Sequence, residues 1–154
     1  MFVLDERLQG DTVFIGRFPL CQVLLMNDRR YPWVILVPAQ SNVFEYYHLA
    51  LKDRQQMMSE SVWLAEKMAD YFNADSMNVA ALGNVVPQLH VHHVARFETD
   101  TAWPAPVWGH SAAEPYSEEE KQARVKEITQ LLESHLISGD KVISEDTERD
   151  FIYW

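Results

Sequence analysis

Pro87-Gln88-Leu89-His90-Val91-His92-His93-Val94-Ala95-Arg96 is the stretch on which the reading of this chain turns. Apolar residues alternate with polar ones over Leu89 to Phe97, which predicts a strand. In a strand, successive side chains leave opposite faces. Gln88, His90, His92 and Val94 then point one way, and Leu89, Val91, His93 and Ala95 the other. The second face is mostly apolar and belongs against a helix. The first carries a row of Gln, His and His with about 7 Å between successive members, from a rise of ~3.3 Å per residue. Core packing alone gives no reason for such a row.

Working outward, Gly83-Asn84 reads as a turn, with a second strand before it over Met77 to Leu82. Upstream, Met58, Val62, Ala65, Ala69 and Phe72 recur at spacings of three and four, the mark of a long amphipathic helix ending near Asn73. Asp53 with Gln56 is placed to cap its start. Leu20 to Met26 and Trp33 to Val37 read as strands of an earlier hairpin joined by Asn27-Asp28-Arg29-Arg30-Tyr31-Pro32. Val13 to Ile15 is a shorter strand, and residues 2–9 a short helix with Leu4 and Leu8 on one face. Downstream, Trp103-Pro104-Ala105-Pro106-Val107-Trp108-Gly109 reads as an ordered loop whose aromatic residues, unusual facing water, either pack on the core or cover a neighbouring subunit. Ser117 with Glu120 forms a capping box. It opens a last helix with Val125, Ile128, Leu132 and Leu136 on its apolar face and Gly139 as its stop. Hairpins imply antiparallel pairing, so the expected class is α+β with about five antiparallel strands, not a doubly wound parallel sheet.

The 154 residues suffice for one domain with its own core, and a hydrophobic fraction of 47% is that of a folded chain. We expect a domain over 1–110 and, over 111–154, a helix and an aromatic tail packed on it or on a partner. The net charge of -10 argues against non-specific binding to nucleic acid, which needs clustered Lys and Arg. The single cysteine, Cys21, forbids an internal disulfide and a multi-Cys zinc site; within its apolar run it reads as a small buried hydrophobe. The start of the chain lacks the pattern of a signal peptide, and no window approaches the ~18 apolar residues of a membrane span. A cytoplasmic protein is expected.

Two imidazoles side by side suit two tasks. They can ligate a metal, as alternate strand residues do at many zinc sites. Alternatively, one attacks phosphorus while the other stabilises the phosphate oxygens. A merely polar sheet face is the bland third reading.

The segment resembles the signature of the histidine-triad (HIT) family, His-φ-His-φ-His-φ-φ with φ apolar, and the order of elements over residues 2–100 is similar as well. Within that family the chain resembles the diadenosine polyphosphate hydrolases. The resemblance implies that His90 is the nucleophile, forming a nucleotidyl-histidine that water resolves, and that His92 touches the phosphate oxygens. It implies phosphate contacts at Asn84 and Asn78 and a ribose contact at Asn27. The substrate would be a (di)nucleoside polyphosphate or a nucleoside phosphoramidate, with no cofactor and no metal. A homodimer joined near the long helix and the sheet edge is also implied. Gln88 stands where the family has its first His, so any charged role there is lost, though an amide still donates hydrogen bonds. His93 falls at an apolar position and reads as a buried, hydrogen-bonded histidine. His48 and His135 read as structural, whereas His110 could approach the site. The aromatic end Phe151-Ile152-Tyr153-Trp154 is a candidate for substrate selection. Two rivals are weighed: a nucleotide-binding module without turnover, and a metal-dependent hydrolase built on His90 and His92.

Overall fold

A computed structural model describes residues 1–137; Gly139 and the Phe151–Trp154 tail lie outside the described residues. The elements are α1 (Glu6–Asp11), β1 (Thr12–Arg17), β2 (Cys21–Met26), β3 (Trp33–Pro38), a 3-10 turn at Tyr46–His48, α2 (Leu51–Phe72), β4 (Ser76–Ala81), β5 (Val91–Arg96) and α3 (Glu118–Leu132). The five strands form one sheet in the order β1-β2-β3-β5-β4. Every pairing is antiparallel, as expected for an α+β chain of hairpins.

The sheet buries both faces. Val23, Leu25, Val34, Leu36, Val91 and Ala95 point into a core shared with Leu64 and Met68 of α2 and Ile128 and Leu132 of α3. Leu24, Trp33, Ile35, Val37 and Val94 point the other way and are covered by Leu8 of α1 and by Ala102 and Val107, which follow β5. The period-2 pattern of β5 therefore separates two cores, one of which contains the site.

Local chemistry explains most element ends. Asp5 caps α1 by accepting the Arg7 amide at 2.8 Å, so that helix begins at Glu6 instead of near residue 2. Asn73 closes α2 in the left-handed conformation at φ 51°, which Asn tolerates better than most residues. The capping box at Ser117 and Glu120 forms in both directions. α3 ends at Leu132, and Leu136 beyond it still packs against the core.

Two expectations about α2 are overturned. Its N-cap is Ala50, with no side-chain bond. Asp53 lies inside the first turn and accepts from Gln40 Nε2 at 2.8 Å, while Gln56 donates to Glu60 at 3.0 Å. The buried face is also different: Asp53, Gln56, Met57, Glu60, Ser61, Leu64 and Met68 face inward, whereas Met58 and Val62 are 56% and 57% exposed. Polar residues face inward because the sheet offers them partners. The Glu60 carboxylate accepts the amides of Leu20 and Cys21 at 2.7 and 3.1 Å, where β2 begins. Burial pushes the Glu60 carboxyl upward, against the hydrogen bonds from Gln56 and from those amides. Cys21 is fully buried beside Met57.

Candidate active site

The polar row of the motif survives, but the strand beneath it is shorter than its alternation suggests. β5 starts at Val91, so Gln88, Leu89 and His90 precede the ladder. Leu89 is held there by its amide, which donates to the Val43 carbonyl at 2.9 Å. His92 lies inside the ladder, opposite Ile35 of β3 and Ala80 of β4. The rings of His90 and His92 meet edge to face, with centroids 4.9 Å apart. Both are nearly enclosed, 5% and 7% exposed.

His90 Nδ1 lies 2.7 Å from the Gln88 carbonyl oxygen. A carbonyl only accepts, so Nδ1 carries a proton, and in the neutral ring the lone pair is on Nε2. His92 Nδ1 has a different partner, the Trp33 indole Nε1–H at 2.9 Å. Burial above all, then His90 and His93, hold His92 far below the usual imidazole range, at about 3. Trp108 closes the site, its ring 5.4 Å from His92 and 6.1 Å from Trp33. The loop packs on the core, one of the two arrangements expected of it, and forms part of a wall of the site, with Ala102 and Val107 buried and Trp108 half-buried.

The Gln88 side chain is engaged by the N-terminal segment. Its Oε1 accepts the Asp5 amide and its Nε2 donates to the Val3 carbonyl, both at 2.9 Å. The amide thus fastens the N-terminal segment beside the motif, next to a cavity of about 290 Å³ bordered by Val3, Asp5, Asn42, Phe44 and Gln88. A cavity of about 560 Å³ lies elsewhere, between α3 and Arg29, Tyr71 and Tyr116, and includes neither histidine.

The three asparagines occupy different settings. Asn27 follows β2 directly, at the start of the β2–β3 connection, and its Oδ1 accepts the Tyr116 amide at 3.1 Å. Asn78 on β4 accepts from Arg96 Nη1 at 2.7 Å. Asn84 is exposed in the turn Gly83–Val85. Of the remaining histidines, His93 is fully buried against Ser61 Oγ at 2.7 Å, and burial lowers it to about 4. His48 Nδ1 accepts backbone amides of Phe44 and Glu45, His135 stacks on Trp63 at 3.7 Å, and His110 is exposed beside Ser111. Among the described residues, no group of three or more His, Cys, Asp or Glu is gathered that could hold a metal.

Two features escaped the sequence. Trp33 is 59 residues from His92, and only the β3–β5 pairing brings them together. Arg96 follows the motif, yet its environment was unreadable. It is buried against Asp100, with Nε–Oδ2 at 2.8 Å, and also donates to the Ala105 carbonyl at 2.8 Å.

The α+β sheet thus carries two imidazoles, meeting edge to face, on either side of the start of its fifth strand. The chain belongs to the histidine-triad family: the HIT domain model matches residues 7–99. It is similar to a histidine triad protein from Marinobacter aquaeolei VT8, with 50% identity over 88% of this chain and 98% of that one and a TM-score of 0.85. A histidine triad (HIT) protein from Sinorhizobium meliloti 1021 is 46% identical over 82% of this chain and 96% of its own, at a TM-score of 0.78. One from Bradyrhizobium japonicum is 36% identical over 88% and 98%, at 0.80. No curated protein matches.

Proposed function

We propose that the chain is a nucleotide hydrolase or nucleotidyl transferase that cleaves at the α-phosphate of a (di)nucleoside polyphosphate or nucleoside phosphoramidate. The observation that carries this reading is the His90 Nδ1–Gln88 carbonyl bond, which puts the lone pair of the neutral ring on Nε2, beside the second imidazole. His90 Nε2 attacks phosphorus to give a nucleotidyl-histidine, and the bond to the leaving group breaks. Water then attacks the phosphorus of that intermediate; the N–P electron pair returns to Nε2 and the nucleotide departs. His92 stabilises the phosphate oxygens, where fixed donors are most effective. Asn84 and Asn78 assist at the phosphates, and Asn27 meets the ribose once a ligand displaces its bond to Tyr116. The step needs no cofactor.

The test is AMP release from a panel of adenylyl compounds, with His90→Ala alongside. His90→Ala should abolish turnover and the trapped covalent adduct while nucleotide binding persists, and His92→Ala should cost less. Full activity in His90→Ala defeats the mechanism. A second reading, a binding module without turnover, is favoured by the engagement of Gln88 with Val3 and Asp5 in place of a catalytic imidazole. Nucleotide binding without an adduct or AMP would select it.

The active form is proposed to be a cytoplasmic homodimer. Met58 and Val62 of α2 and Val79 of β4 are exposed, and among the described residues β4 pairs with β5 alone. A second copy can cover that stripe and continue the sheet. A monomer at micromolar concentration in a sizing experiment rules this out. Among the described residues no helix is long and apolar enough to cross a membrane.

A further inference from the structure

The two histidines of the site are held by partners of opposite kind, and the difference decides where their protons sit. At His90 the partner is a carbonyl, which accepts, so the proton of the neutral ring sits on Nδ1 and its lone pair on Nε2. At His92 the partner is an indole, which only donates. Nδ1 of His92 must therefore offer its lone pair, and its one proton belongs on Nε2. Trp33 is itself well fixed. It is 6% exposed, meets Trp108 and Tyr31 edge to face, and sits at the start of β3 opposite Val94. The indole cannot turn away from His92 without breaking this packing.

From this geometry we propose that Trp33 is a positioning residue that keeps the His92 proton on Nε2, and that the site consequently serves substrates whose leaving group departs as an anion, phosphoanhydrides above all, and not as an amine. The proposal rests on the catalytic reading of His90 and narrows its substrate.

The chemistry follows from proton placement. With Nδ1 bonded to an N–H donor, His92 can become an imidazolium only by giving up that bond. Its burial and its titratable neighbours, His90 and His93, also oppose a positive charge. His92 then offers an Nε2–H hydrogen bond to a phosphate oxygen but no acid proton. The Nδ1–H of His90 is engaged by the Gln88 carbonyl, and residue 88 carries an amide where the family has an imidazole. In an anhydride, the N–P bond to His90 forms as the P–O bond breaks, and the leaving oxygen takes the electron pair as a stable phosphate anion. No proton is required. In a phosphoramidate, the same step would expel a strongly basic amide anion unless the nitrogen were protonated as the P–N bond broke. General acid assistance of that kind is worth roughly a hundredfold to ten-thousandfold in rate.

The test uses the full chain and two probes, diadenosine triphosphate and adenosine 5′-phosphoramidate. The expected kcat/KM for the anhydride exceeds that for the phosphoramidate by about a hundredfold or more. Nitrogen-15 NMR of the histidine-labelled protein should show His92 protonated on Nε2 and bare on Nδ1 from pH 5 to 8, a result that needs no variant. Trp33→Phe should lose the fixed tautomer and lower kcat for the anhydride about tenfold, with KM within about twofold. Equal cleavage of both probes, abolished by His90→Ala, overturns the leaving-group assignment while the nucleotidyl-histidine stands. AMP from neither probe overturns it together with the catalytic reading. A proton on His92 Nδ1, alone or as the imidazolium, overturns the role of Trp33 whatever the activities are.

Discussion

Replacing Asp100 with alanine should destabilise the fold by about 3–5 kcal/mol and disturb the site at the same time. The carboxylate is 3% exposed and faces the buried Arg96 guanidinium, with contacts at 2.8 Å to Nε and 3.1 Å to Nη2. It also accepts the backbone amides of Phe97 at 3.0 Å, Ala102 at 3.1 Å and Trp103 at 2.8 Å. Removing one member of a buried ion pair leaves an uncompensated charge, which costs ~3–5 kcal/mol. Three amides lose their acceptor as well, but the loop can admit water to them, so they are not counted in full. Replacing both partners at once removes the stranded charge. Arg96→Met in the Asp100→Ala background should therefore cost about 1 kcal/mol or less beyond the single variant.

Urea unfolding of the four proteins in that cycle measures the coupling. The pH dependence supplies an independent check. Burial raises the Asp100 carboxyl, but the bonds from Arg96, Phe97 and Trp103 outweigh it and hold the carboxyl below its usual range. A depressed carboxylate contributes stability that is present above its unfolded value of about 4 and is lost as pH falls through the lower folded value. The gap between wild type and Asp100→Ala should accordingly be full at pH 7 and shrink below about pH 4. Because the loop anchored by Asp100 carries Val107 and Trp108 onto the site, near-ultraviolet tryptophan signals and AMP release should fall with it. A cost under about 1 kcal/mol at pH 7 would show that the Arg96–Asp100 pair is not what holds this loop.

His93 should make stability fall in mild acid. Its imidazole is lowered to about 4 by burial, so between about pH 6.5 and 4 the unfolded chain binds a proton that the folded one refuses. Urea midpoints should record a loss of about 2 kcal/mol from this residue between pH 7 and 5, on top of a similar loss from His92, and His93→Gln should remove about half of the combined slope. Asn27→Ala should weaken AMP binding by about 1–2 kcal/mol in calorimetry, and should also cost about 1 kcal/mol of stability because the Tyr116 amide loses its acceptor. Unchanged affinity would place the ribose elsewhere. Gln88→His should leave turnover equal or higher, but lower the thermal midpoint, since ring nitrogens cannot occupy the positions from which the amide oxygen accepts from Asp5 and the amide nitrogen donates to Val3, and a protonated ring could not accept at all.

What was legible in the sequence was local. Alternation along Leu89 to Phe97 separated the helix-facing from the site-facing residues, because strand geometry needs no knowledge of the rest of the chain. The Ser117–Glu120 box was readable for the same reason, its two reciprocal bonds spanning three residues. What stayed hidden depends on which strands become neighbours. The Trp33–His92 bond exists because β5 inserts between β3 and β4, and a chain-order reading has no access to that insertion.

The helix α2 shows the same limit from the other side. Spacing correctly announces a helix, but hydrophobicity misassigns its inner face, because Glu60 and Ser61 can be buried only where β2 amides and His93 are ready to bond them. A hydropathy pattern records apolar side chains and not the hydrogen-bonding capacity of what they will meet. Met58 and Val62 are then left facing outward, although their pattern is that of residues selected for burial. The two facts are compatible if the apolar stripe is a packing face for a second copy of the chain, while the polar stripe packs within this one. On that argument Met58→Glu with Val62→Lys should leave the monomer fold intact and dissociate the dimer, because neither side chain supports the monomer's own core.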